Sequence, residues 1–161
     1  MGTLNLRSLV LAAVCILAPL VSGTVAGFFT IAGVQGWYTT LNKPWFTPPD
    51  YVFGPVWTVL YLLMGISLYL VVFRGTETKS GKTGIVLFVA QLGVNLLWSA
   101  LFFGLHSPRA GLACIFVLIA LIVATIISFS RSSRPAALLL LPYLAWVLIA
   151  TALNAGVVLL N

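Results

Sequence analysis

Three stretches of this sequence carry side chains whose types and spacing could do chemistry. Trp57, Tyr61 and Met64 recur at i, i+4 and i+7, the spacing that puts side chains on one face of a helix. Gln91, Asn95 and Trp98 repeat that spacing. Trp146, Ala150 and Asn154 stand four apart, with Tyr143 three before Trp146. Each face combines aromatic rings with one or two polar groups. Such a set stacks on flat rings and adds a few directed hydrogen bonds, the usual makeup of a small-molecule site. The same residues have a structural use. Gln91, Asn95 and Asn154 could bond one another or neighbouring helices and hold a bundle together, at about 0.6–2 kcal/mol per bond. The repeat alone favours that use. The Trp content favours the pocket, as does small Ala150 beside large Trp146. The residues leave both open.

Other chemistries are thinly supplied. No Asp, Glu, Lys, Arg or His lies within the long apolar runs. Proton- and ion-coupled mechanisms place ionisable groups there, and ordinary hydrolysis needs an acid/base or nucleophile–base pair. Cys15 and Cys114 sit in apolar runs and read as small hydrophobes. His106 is the single histidine, in a short linker, and no Cys/His group has metal-ligand spacing. No metal and no required cofactor is expected. The net charge of +6 comes from basic residues dispersed singly or in small clusters, so nucleic acid is not an expected partner.

The elements that must position these faces follow from composition. Hydrophobic residues make up 61% of the chain and charged residues 6%, against roughly 25% charged in soluble domains. A spanning helix needs about 20 apolar residues. Runs at about 9–31, 53–73, 84–104, 110–129 and 135–160 qualify. The expected fold is all-α: one integral membrane domain over 1–161, a single five-transmembrane-helix bundle in membrane lipid. The first run, with Arg7 ahead of it and Ser22 and Gly23 within it, has features of a signal peptide. Its apolar character continues through Phe28, Phe29 and Ile31, beyond an h-region of about 7–15 residues. It is read as a helix, and Gly23 and Gly27 form a GxxxG pair that permits close helix approach.

Five crossings put Arg7, Arg74, Lys79, Lys82, Arg131 and Arg134 on one side, and Lys43 and Arg109 on the other. The basic excess predicts a cytoplasmic N-terminus in a bacterial-type cell membrane. It would not decide orientation in an outer membrane. The longest linker, 32–51, contains Trp37, Tyr38, Trp45, Phe46 and Tyr51, stiffened by Pro44, Pro48 and Pro49. It reads either as a lid over the bundle or as an aromatic belt at headgroup level.

At these residues the chain resembles the TspO/MBR family, the tryptophan-rich sensory proteins, whose animal members are translocator proteins. The matching pieces are WYTTLNKPWFTPP (37–49), FGPVWTVLYLLMG (53–65), QLGVNLLWSALFFG (91–104) and PYLAWVLIATALN (142–154). The first helix resembles the family in character only. The resemblance implies a homodimeric five-helix membrane receptor, sensor or translocator. Its ligands would be porphyrins of the protoporphyrin IX type and other flat apolar molecules. Family pocket positions carry over onto Tyr38, Trp57, Tyr61, Asn95, Trp98, Trp146, Ala150 and Asn154. Trp45 matches the loop Trp approximately, since this chain reads KPWF where many relatives read KPSW. Gln91 and Tyr143 join the set from the helix faces. Light-dependent porphyrin degradation in some bacterial members implies Trp57 and Trp146 as candidate catalytic residues, and a purely structural or regulatory scaffold is the remaining alternative. The C-terminal sterol motif of animal members has no counterpart here, because AGVVLLN lacks both Tyr and a basic residue. A porphyrin's propionates are expected near the loop, beside Lys43.

Overall fold

The computed structural model describes residues 6–75 and 78–161; positions 1–5, 76 and 77 of the expected domain lie outside them. Helix α1 covers Leu6–Gln35, α2 Asp50–Gly75, α3 Lys79–Ser99 and α4 Pro108–Ser130. A fifth apolar stretch, Arg134–Leu160, is broken into α5 (Arg134–Leu139) and α6 (Leu141–Leu160). The chain is thus an all-α integral membrane protein with five helical spans. The break at Leu140 has a local cause. Pro142 has no N–H to bond the carbonyl four residues back, so the ladder is interrupted. α1 packs along α2, α3 along α4, and α4 along α6, with α5 wedged against α2 and α4.

The end of the bundle that carries most of the basic residues is closely packed. Ser67 Oγ donates to the Ala136 carbonyl at 2.7 Å, and Ser128 Oγ to the Ser80 carbonyl at 2.8 Å. Phe88 and Phe129 stack at 5.9 Å. α1 and α2 also meet tightly near mid-span. A Cβ on Gly65 would lie 2.6 Å from the Ile16 Cα and 3.2 Å from the Cys15 carbonyl oxygen. That carbonyl lacks its usual helical donor because Pro19 stands four residues on. Glycine lets the α2 backbone close over this gap.

Toward the other end the two helices part. Gly23 still touches the Tyr61 ring, whereas a Cβ on Gly27 or Gly54 would meet nothing within 4 Å. The pair therefore forms a V. Its arms open over the 11 residues from Gly65 to Gly54, about 16 Å of helix at roughly 1.5 Å per residue.

The linker is shorter than the expected 32–51, because α1 continues to Gln35 and α2 begins at Asp50. Gly33 seats the last turn of α1 on the Phe103 side chain. Asp50 suits the first turn of a helix, where a carboxylate faces the positive end of the helix dipole. Between them Trp37–Thr40 form one 3₁₀ turn. The rest of the linker lies on the end of α6. Pro44 packs against Gly156, the Asn42 N–H donates to Asn161 Oδ1 at 3.1 Å, and Asn161 Nδ2 donates back to the Asn42 carbonyl at 3.0 Å.

Candidate functional site

The open arms of α1 and α2 enclose a cleft of about 730 Å³, within the roughly 300–1,000 Å³ of small-molecule sites. One wall is α1, from Leu20 and Gly23 through Gly27 and Thr30 to Val34. The other is α2, from Asp50 and Phe53 through Gly54 and Trp57 to Tyr61. Ser99 of α3 also reaches it, and Thr39 of the linker stands at the mouth. Trp57 and Tyr61 are stacked, with centroids 5.4 Å apart and planes 26° apart. Their i, i+4 spacing on one helix produces that pairing. The wall hydroxyls of Thr24, Thr30 and Thr58 donate to carbonyls four residues back. Their donors are used within the helix, so the wall is apolar in effect while the hydroxyl oxygens can still accept.

Behind this wall lies a hydrogen-bonded layer. The Tyr61 hydroxyl donates to Asn95 Oδ1 at 2.8 Å, and Asn95 Nδ2 donates to the Tyr143 hydroxyl at 3.2 Å. All three side chains are buried. Tyr143 meets Trp57 edge-on at 6.2 Å, and half-buried Trp146 meets Phe53 edge-on at 5.9 Å. Trp57, Tyr61, Asn95, Tyr143 and Trp146 are thus brought together as cleft wall and backing. Gln91, one turn from Asn95, is 1% exposed, and neither amide atom has a hydrogen-bond partner. The Trp146 indole nitrogen also lacks one. A buried polar group left unpaired costs about 1–3 kcal/mol.

A second cluster sits under the linker. Trp98 stacks on Phe102 at 5.8 Å and donates its indole N–H to Asn154 Oδ1 at 3.3 Å. Asn154 Nδ2 donates to the Pro108 carbonyl at 2.7 Å, and Ala150 is buried one turn away. Tyr38 packs edge-on against Phe102 and Phe103, while Trp37 stacks on His106 at 4.7 Å. Phe102 and Phe103 both turn inward because α3 ends in a π-type turn, Ala100–Gly104, with the Leu105 N–H bonded to the Ala100 carbonyl at 2.8 Å. Such turns re-aim side chains, and no residue pattern in the sequence announces this one. Burial, and secondarily the Asp50 charge, push the Tyr38 phenol up to about 12.

The linker therefore divides. Trp37, Tyr38 and Pro44 pack down onto the bundle, whereas Trp45 is 95% exposed and Phe46 is also exposed. The first group covers the ends of α3 and α6. The second has the exposure that an interfacial belt calls for. Lys43 does not reach the cleft wall; its ammonium lies 4.7 Å from the centre of the Tyr38 ring. The acidic side chain at the mouth is Asp50. The α1 wall is missing from the sequence-derived candidates. Its signal is the small-residue pair Gly23 and Gly27, which in the sequence reads only as a place of close helix approach. Gly23 has that role, against Tyr61 of the same chain, but Gly27 faces open space.

The sequence model of the TspO/MBR family matches residues 15–160. The chain is 49% identical to the tryptophan-rich protein TspO of Archaeoglobus fulgidus over 146 residues, 91% of this chain and 94% of that protein. It is 46% identical to the protein of the same name in Chlorobaculum tepidum, covering 92% of this chain and 94% of that one. It is 36% identical to the human translocator protein, covering 86% and 82%.

Proposed function

The chain belongs to the TspO/MBR family of membrane sensors and translocators, and from that premise we propose that it binds flat, apolar ring systems of the porphyrin class in the cleft between α1 and α2. One observation carries the reading: a stacked Trp57–Tyr61 pair forms the wall of an open cleft within the apolar span. An indole on that wall offers its face to a macrocycle, and the layer behind it fixes the wall's orientation through Tyr61. In the test, protoporphyrin IX is titrated into detergent-solubilised protein and Trp fluorescence is followed. Saturable quenching that weakens in Trp57→Phe is expected. Quenching that never saturates, or that is equal in a Trp57→Phe/Trp146→Phe double variant, rejects the reading.

The same pair favours a second reading, photochemical breakdown of the bound porphyrin, because Trp57 is an electron-rich ring at the cleft surface. Trp146 lies behind Phe53 and would act only through that ring. Illumination should then bleach porphyrin faster with protein than without, and Trp57→Phe should remove the difference. Bleaching at the rate of free porphyrin rejects this second reading and leaves the binding reading intact.

A further inference from the structure

We propose that Asp50 makes the mouth of the α1–α2 cleft repel anions, so that it takes flat ligands with a neutral or cationic polar edge in preference to those whose edge carries carboxylates. This rests on the cleft being the ligand site and specifies which members of the ligand class it accepts. Among the described residues, Asp50 is the only charged side chain on the cleft wall. It is the first residue of α2, where the helix dipole favours a carboxylate. Its neighbours on the rim, Gln35, Thr39 and Tyr51, are uncharged. The nearby cation, Lys43, is turned onto the Tyr38 ring rather than into the cleft.

The depth of the cleft sets the ligand's orientation. Gly23 meets the Tyr61 ring at the closed end, where Leu20 and Ala26 also line the cleft, so a ring with one polar edge enters apolar edge first. Its polar edge then stops at the rim, against Asp50. A carboxylate there meets a like charge within a few ångströms, which at a partly solvated rim costs roughly five- to tenfold in affinity. The Tyr38 phenol is raised by burial first and by the Asp50 charge second, consistent with this carboxylate's field reaching the groups around the mouth.

The test compares protoporphyrin IX with its dimethyl ester, which has the same ring and no carboxylates, on the full chain in detergent. Affinities come from Trp quenching in wild type, Asp50→Asn and Lys43→Gln. The readout is the ester-to-acid affinity ratio of each variant relative to wild type, in which partitioning into detergent cancels. Asp50→Asn should lower the ratio about five- to tenfold, by tightening the free acid and leaving the ester unchanged. Lys43→Gln should leave the ratio within about twofold. An unchanged ratio in Asp50→Asn overturns this proposal alone, as does selective loss of the free acid in Lys43→Gln. No saturable binding of either porphyrin by any variant overturns it together with the ligand reading.

Discussion

Gly27→Phe separates the cleft from the rest of the bundle. A Cβ at Gly27 meets nothing within 4 Å, and the residue lines the cleft. A phenyl ring there can lie in the open arms without pushing a helix aside. A Phe side chain buries about 150–250 Å². If half of that covers wall a ligand would otherwise touch, roughly 100 Å² of apolar contact is lost. At about 25 cal/mol per Å² this is ~2.5 kcal/mol, or roughly 70-fold in affinity. Thermal stability in detergent should stay level or rise slightly, since a helical glycine is replaced. Gly65→Ala is the opposite case. Its Cβ would come 2.6 Å from the Ile16 Cα, and backbone cannot rotate away. The helices must separate by about 1 Å, an overpacking cost of about 1–3 kcal/mol. The assay pairs porphyrin titration with a melting curve for each variant. Wild-type affinity in Gly27→Phe refutes the assignment of the cleft. A large stability loss in that variant refutes the geometry of open arms.

Asn95→Leu should destabilise by about 2–4 kcal/mol, because it deletes two buried hydrogen bonds and leaves two tyrosine hydroxyls unpaired. Affinity of the remaining folded protein should change less than about tenfold; abolished binding with intact stability would mean that Asn95 touches the ligand itself. Tyr38 makes stability fall at high pH. Its phenol titrates at about 12 in the fold and at about 10 in an unfolded chain. Below pH 10 both states hold the proton; between about 10 and 12 only the folded state does, so the contribution is lost as pH rises through that window. Denaturation curves of wild type and Tyr38→Phe should diverge there and nowhere lower. Asn42→Ala removes the side chain that reaches the Leu160 carbonyl but keeps the backbone bonds to Asn161. Asn161→Ala removes the paired bonds and should expose the linker to protease far more than Asn42→Ala does; equal cleavage would refute a role for those bonds in holding the linker on α6.

The spans were readable because twenty-residue apolar runs broken by basic or turn residues have few other solutions in a chain with so little charge. The inward faces were readable for the same reason, since amides and indoles at helical spacing avoid lipid. Less readable was which face each polar group would meet. Asn95 and Asn154 bond across helices, a pairing that depends on helix rotation and depth rather than on spacing within one helix. The π-type turn that buries both Phe102 and Phe103 shifts register by one residue, which no periodic pattern shows. The α1 wall stayed hidden because a stripe of small residues looks alike whether a neighbouring helix fills it, as at Gly23, or nothing does, as at Gly27.

Holding the bundle together and lining a pocket are alternatives by spacing alone, yet the geometry combines them in one side chain. Tyr61 presents its ring to the cleft and its hydroxyl to Asn95. In lipid that hydroxyl needs a partner, and the partner fixes the ring's plane; Trp57 then stacks on that ring. The polar layer thus confers rigidity on an apolar wall, which lowers the ordering cost of holding a flat ligand. Gln91 lies one turn beyond this layer with both amide atoms unpaired. It therefore contributes no such rigidity, and the strain it adds falls on the side of the layer away from the mouth. Replacing it with Leu removes an unpaired amide at similar size and should stabilise the bundle by about 1–3 kcal/mol with wild-type affinity. A Gln91→Leu variant that instead unfolds more easily would show that the amide finds a partner in the membrane, and the wall would then be supported by two layers rather than one.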